Sequence, residues 1–257
     1  MTLYPDGSTL LPSNPVIPYL VTLLSHNLHI GIVTAAGYSD PSGTEYSRRL
    51  HGLLEAVAKS TLLPEQKGRL AILGGECNYL FRYDGEKDRL EWVEQDVWRL
   101  DLMKSWREED INSLLDIAED ALSSSAKVMR LKCQIVRKPM AVGTSPHGPL
   151  SNSKGLIPCE SRLTRECLEE AVLASQRTLF YHPVAEKIPF CCFNGGSDVW
   201  VDVGDKSLGV SVLQRYFHDL AGDNLEIWGG NTLHVGDQFM SLGGNDFKAV
   251  GTPHCDV

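Results

Sequence analysis

The first patterned stretch is Asn14-Pro15-Val16-Ile17-Pro18-Tyr19-Leu20-Val21-Thr22-Leu23-Leu24, where helix-start residues lead into an apolar-periodic helix. Leu28-His29-Ile30-Gly31-Ile32-Val33 follows as a β-branched run that predicts a buried strand, closed by Thr34-Ala35-Ala36-Gly37-Tyr38. Leu50, Leu53, Leu54 and Val57 recur at helical spacing, so 42–63 predicts a second helix. Helix, strand and small-residue loop make half of a parallel α/β unit.

The middle of the chain changes rhythm. Asn78–Tyr83 and Leu90–Val93 flank Asp84-Gly85-Glu86-Lys87-Asp88, the pattern of a β-hairpin. An acidic helix is predicted over Glu108–Ser124, with Ile111, Leu114, Leu115 and Ala118 on one face, then a strand over Leu131–Val136. A polar loop rich in Gly, Pro and Ser runs from Gly143 to about Lys154, and a helix is expected over Glu160–Thr178. The α/β rhythm then returns. Phe190–Phe193, Val199–Val203 and Asn231–Val235 read as strands, and Ser207–Ala221 as a helix. The predicted architecture is α/β: a parallel-sheet core, 1–40 plus 185–257, interrupted by an α+β cap over 41–184. Trp92, Trp98 and Trp106 are expected in the core of that cap.

Composition narrows the class. The 257 residues are 42% hydrophobic and 22% charged, a globular balance. A net charge of −9 argues against general nucleic-acid binding, while leaving room for a local phosphate pocket. No apolar run approaches the roughly 20 residues of a membrane helix, and the N-terminus lacks a signal-peptide pattern, so a cytoplasmic location is expected. The seven cysteines show no Cys-x-x-Cys or zinc-like spacing and read as reduced thiols.

A few residues carry candidate chemistry. Asp237 follows an apolar run and a glycine, and shares a glycine-rich loop with Asp246. Two carboxylates there supply hard oxygen ligands suited to Mg²⁺, though turn formation and helix capping use the same residues. Thr34 ends its strand before Ala-Ala-Gly, where a hydroxyl and free amides suit a phosphate; a strand-ending Thr also simply forms turns. Lys206 sits at a strand-to-helix junction, placed to neutralise a phosphoryl group or to be solvated in a first helical turn. Asp198 follows Asn194-Gly195-Gly196-Ser197, and Asp6 lies in Tyr4-Pro5-Asp6-Gly7; each fits ligand contact or ordinary turn chemistry. Glu76 and Asn78, beside Gly74-Gly75, fit contact with a polar ligand but read first as loop residues, and no Gly-Lys-Ser/Thr follows to make a phosphate loop.

The order of these features is more specific than any one of them. Thr34, a large insert, Lys206 and then Gly236-Asp237 with Asp246 resemble motifs two, three and four of haloacid dehalogenase-like phosphatases, whose cores are Rossmann-like. Thr2-Leu3-Tyr4-Pro5-Asp6-Gly7, Val33–Tyr38, Arg49–Leu54, Gly74–Phe81, Phe193–Val199, Gly204–Val210 and His234–Phe239 together resemble the IMP-specific 5′-nucleotidases, from residue 1 to about 249. The resemblance implies Mg²⁺-dependent hydrolysis of inosine 5′-monophosphate (IMP) to inosine and phosphate through an aspartyl-phosphate. It implies that Asp6, Thr34, Asp198 and Lys206 bind the substrate, and that Asp237 and Asp246 form the metal site. It further implies ATP regulation and homo-oligomer contacts in full-length relatives.

Two departures qualify this. The family's first motif, Asp-x-Asp-x-Thr, ends at the position of Thr2, so its nucleophile and acid/base aspartates fall before Met1. After Ala249 the tail no longer resembles the family. The expectation for the polypeptide as written is an incomplete and inactive chain, with a non-catalytic nucleotide-binding role as the alternative.

Overall fold

The computed structural model describes residues 2–4, 8–145, 164–222, 227, 229–237 and 246. Helix α1 (Val16–Ser25) leads into β1 (Ile30–Thr34). The single helix expected over 42–63 is instead two, α2 (Thr44–Arg49) and α3 (His51–Lys59). They break at Leu50 because the chain at Leu10 crosses the junction. Its amide donates to the Arg49 carbonyl at 2.7 Å, and its carbonyl accepts from the Gly52 amide at 2.8 Å. Short α4 (Pro64–Lys67) precedes β2 (Leu70–Gly74), then β3 (Tyr79–Asp84), β4 (Arg89–Trp92), α5 (Gln95–Trp98) and α6 (Asp101–Lys104).

These strands form one sheet in the order β1-β2-β3-β4. β1 and β2 are parallel, with Thr34 opposite Gly74 at their shared carboxyl end, and the other pairs are antiparallel. Strand β2, which the sequence pattern did not single out, is the pivot. Every one of its residues is buried, because the sheet is covered on both faces. Leu70 and Ile72 pack with Phe81 and Tyr83 against α1, α2 and α3, while Ala71 and Leu73 pack with Leu80 against α9 (Lys206–Ala221). A strand buried on both faces reads as a continuous apolar run without alternation.

The second sheet has the order β5-β6-β8-β7, all antiparallel: β5 (Gln134–Lys138), β6 (Ala141–Ser145), β7 (Phe190–Asn194) and β8 (Val199–Val203). Its covering helices are α7 (Glu108–Val128) and α8 (Arg165–Phe180), which bury Val199, Val201 and Val203 against Leu115, Leu122, Val172 and Leu179. β6 occupies the start of the expected polar loop, because Ala141, Val142 and Gly143 pair on both sides.

The sheets divide the chain differently from the expected boundaries at 40/41 and 184/185. The 79–92 hairpin, expected in the cap, completes the β1–β2 sheet, and Trp98 packs in the same layer as α9. Phe190–Asn194 and Val199–Val203, expected in the core, pair with β6 in the cap. Hairpin and strand patterns specify local pairing but not which sheet receives it. The α/β class holds, with β1–β2 the parallel pair among the described residues. Residues 231–235 form no strand. Leu233 makes a single bridge and remains 74% exposed, so its apolar pattern is not used for packing. The five described cysteines, 77, 133, 167, 191 and 192, are free thiols. None of the described helices is long and apolar enough to cross a membrane.

Two substitutions separate a used from an unused strand pattern. Ile72→Ala, fully buried, is expected to cost about 2–5 kcal/mol, and Leu233→Ala less than about 0.5 kcal/mol, as read from urea unfolding midpoints.

Candidate functional site

Strand β8 ends at Val203, Gly204 turns with φ +80°, and α9 begins at Lys206. Asp205 caps the helix, its side chain accepting from the Leu208 amide at 3.0 Å. Lys206 therefore stands in the first turn of α9, a position that disfavours positive charge. Its compensation is Asp246. Lys206 Nζ donates to Asp246 Oδ1 at 2.8 Å, with side chains only 12% and 2% exposed. Asp246 Oδ2 accepts from the Asp237 amide at 3.3 Å, and His234 Nε2 lies 3.7 Å from Oδ1. From the other end of the chain, the Thr2 hydroxyl donates to Asp237 Oδ1 at 2.9 Å.

Lys206, Asp237 and Asp246, three of the residues selected from sequence, thus meet in one cluster. It adjoins the carboxyl end of β1 through close packing of α9. A Cβ on Gly209 would lie 2.4 Å from the Glu76 carbonyl and 2.9 Å from Val33 Cγ1. The carboxyl ends of parallel strands are where open α/β sheets bind ligands. Thr34 lies there, its hydroxyl accepting from the Ala36 amide at 3.2 Å and its carbonyl from the Glu76 amide at 3.0 Å.

For a divalent cation the donor chemistry favours Asp237, an exposed carboxylate. Mg²⁺ is commonly held by one or two carboxylates plus waters. As a metal ligand Asp246 fits less well than the sequence suggested, since both its oxygens face protein donors. Among the described residues there is no group of three or more His, Cys, Asp and Glu placed to hold a metal.

Asp198 lies elsewhere, in a cleft of about 230 Å³ between the two sheets. Ala35, Ala36 and Gly37, directly after Thr34, line the core side of this cleft, so Thr34 links the two regions. The Asp198 carboxylate folds over Gly195, where a Cβ would come within 2.1 Å of Oδ1. Asp6 lies outside the described residues.

Sequence reasoning missed the other cleft residues: Tyr38, Arg49, Lys138, Trp200 and Asp202. The available signal was the alternation Val199-Trp200-Val201-Asp202-Val203, which puts an aspartate among strand residues. Asp202 is 2% exposed and its Oδ1 has no hydrogen-bond partner. Burial, and then the nearby Glu76 carboxylate, push its pKa well above the carboxylate range, while Lys138 opposes the shift. Burial likewise lowers the pKa of Lys138.

Residues 1–254 match the family described as IMP-specific 5′-nucleotidase. The chain belongs to that family. The chain is 48% identical over 251 residues to IMP-specific 5′-nucleotidase 1 of Aspergillus fumigatus, covering 97% of this chain and 51% of the relative. It is 44% identical to the Yarrowia lipolytica protein of the same name, covering 97% and 55%. An N-terminally truncated, IMP-bound Plasmodium falciparum IMP-nucleotidase superposes with a TM-score of 0.79 at 32% identity, over 96% of this chain and 59% of that one. Its ATP-bound counterpart superposes at 0.74 with 33% identity, over 96% and 52%. The chain therefore spans about half to three-fifths of the length of these IMP-specific 5′-nucleotidases.

The buried Lys206–Asp246 pair is open to a double-mutant cycle. Lys206→Met alone leaves a buried carboxylate uncompensated and is expected to cost about 3–5 kcal/mol, much of which Lys206→Met with Asp246→Leu recovers, read from chemical denaturation.

Proposed function

We propose that this chain forms the phosphate-, metal- and nucleoside-binding part of a phosphohydrolase acting on inosine 5′-monophosphate. The observation that carries this reading is the cluster of Lys206, Asp246 and Asp237 at the N-terminus of α9, with the loop after Thr34 lining the separate cleft that contains Asp198. In it, Lys206 neutralises the substrate phosphate and Thr34 donates its hydroxyl to a phosphate oxygen. Asp246 holds the Lys206 ammonium in place and fixes the backbone of Asp237 through its amide. Asp198 and Asp6 contact the nucleoside.

Asp237 would hold Mg²⁺, which would supply positive charge to offset the repulsion between the substrate phosphate and an attacking carboxylate. By this route an aspartate of the family's first motif attacks the phosphorus and the P–O5′ bond breaks as a second aspartate protonates the departing inosine; that second aspartate then takes a proton from the water that hydrolyses the aspartyl-phosphate, releasing phosphate. Support for locating that motif beside the cation comes from Thr2, its last residue by resemblance, whose hydroxyl contacts Asp237. A bound ATP in the Plasmodium relative supports ATP as an effector of the full-length protein.

Phosphate release from IMP, measured on a protein of the relatives' length that contains this chain, tests the reading. Turnover is expected to require Mg²⁺ and to stop with EDTA. Asp237→Asn, at an exposed position, is expected to lower kcat by roughly 10²–10³-fold without loss of folding. No phosphate release would reject the hydrolase, and IMP binding without turnover would favour the nucleotide-binding alternative.

A further inference from the structure

Helix α2 carries a buried tyrosine, Tyr46, that the proposed hydrolysis does not use. Its ring packs between Tyr38 and Phe81, with centroids 5.1 and 5.0 Å away. The phenol passes over Gly74, where a Cβ would collide with its oxygen and its ring, so only glycine fits there. Gly74 is the residue opposite Thr34 in the β1–β2 pair. Through the gap that this glycine leaves, Tyr46 reaches the loop that follows Thr34.

There it meets backbone. Tyr46 Oη donates to the Ala36 carbonyl at 2.9 Å and accepts from the Tyr38 amide at 2.9 Å. A hydroxyl has one proton and two lone pairs, so it satisfies a carbonyl and an amide at once. The two peptide groups it holds lie on either side of Gly37. Glycine brings backbone freedom, and the phenol removes that freedom by bridging across it. Gly37 is also pressed against the facing turn, where a Cβ would lie 3.2 Å from Gly75 Cα. The Gly75 amide shares the Ala36 carbonyl at 3.1 Å. Burial pushes the Tyr46 pKa upward, so the phenol keeps the proton that it donates.

Resting on the phosphohydrolase reading, we infer that Tyr46 is a positioning residue for the substrate phosphate, acting through Thr34. The link is Ala36. Its carbonyl is held by Tyr46, and its amide donates to the Thr34 hydroxyl at 3.2 Å. With its oxygen held as the acceptor of that bond, Thr34 keeps its own proton for a phosphate oxygen. Without the Tyr46 hydroxyl the Tyr38 amide loses its partner, and the peptides around Gly37 are free to turn. Ala36 then no longer fixes the direction in which Thr34 donates. A group prearranged in the bound geometry avoids the cost of ordering it when the substrate arrives.

A double-mutant cycle in a protein of the relatives' length that contains this chain tests the assignment. Tyr46→Phe keeps the ring and removes only the hydroxyl. It is expected to lower kcat/KM for IMP roughly 10-fold, and Thr34→Val roughly 100-fold. The two together are expected to match Thr34→Val alone within about 2-fold, because the tyrosine acts through the threonine. Phe81→Leu loosens the packing of the same ring and serves as the stability control. It is expected to lower the unfolding midpoint while kcat/KM stays within about 2-fold of the unmodified protein. An unchanged kcat/KM in Tyr46→Phe, additive losses in the double variant, or an equal loss in Phe81→Leu would overturn the positioning role while leaving the hydrolase standing. A Tyr46→Phe variant that fails to fold would also overturn it, since the hydroxyl would then serve stability alone. No turnover by the unmodified protein would overturn both readings.

Discussion

The turn Gly74–Asn78 joins parts of the molecule that are far apart in sequence. The Gly75 amide donates to the Ala36 carbonyl at 3.1 Å, and the Glu76 amide to the Thr34 carbonyl at 3.0 Å, which ties the turn to the loop after β1. The Asn78 amide nitrogen Nδ2 donates at 2.7 Å to both the Gly75 and Val203 carbonyls, so one side chain fastens the turn to the end of the cap sheet. α9 approaches the Glu76 carbonyl so closely that only glycine fits at 209. Two successive positive φ angles, 58° at Gly75 and 62° at Glu76, are what let five residues reach all these partners. For Glu76 that conformation carries a strain that its many attachments offset. The carboxyl end of β1, the start of α9 and the cleft all take their positions from this turn.

Charge is the second constraint, and the molecule handles it in two ways. At the start of α9 the positive Lys206 and the buried Asp246 satisfy each other, which makes a rigid local structure at some cost in desolvation. In the cleft, Lys138 and Asp202 share a row but lie at its opposite ends, each shifted by burial towards its neutral form. The first arrangement positions a cation; the second leaves hydrogen-bonding capacity for something that enters. The cap thus contributes through the face of its sheet opposite α7 and α8, where Trp200 and Asp202 alternate with the valines that pack on those helices.

Much of this was legible in the sequence and some was not. Lys206, Asp237 and Asp246 were recoverable because a helix-start lysine and two aspartates in a glycine-rich stretch are residue types that carry chemistry independently of packing. Helices α1, α7, α8 and α9 and the 79–92 hairpin follow from periodicity and turn residues. Strand β2 escaped because burial on both faces removes the alternation by which a strand is recognised. The break at Leu50 escaped because it depends on the chain at Leu10, 40 positions away. Lys138, Trp200 and Asp202 escaped because a single aspartate in a valine-rich strand acquires meaning only from what lies opposite it.

The sequence by itself determined the class of the fold, most of its elements and the polar residues around α9, since these rest on local propensity and on short-range order along the chain. Only the tertiary structure decided which sheet each strand joined, and with it the division into core and cap. It also brought Thr2 to Asp237, and Asp202 into a cleft with Lys138. The physical reason is that a strand carries identical hydrogen-bonding edges wherever it pairs. Its destination is fixed by the burial of its side chains against distant partners, which no local pattern contains.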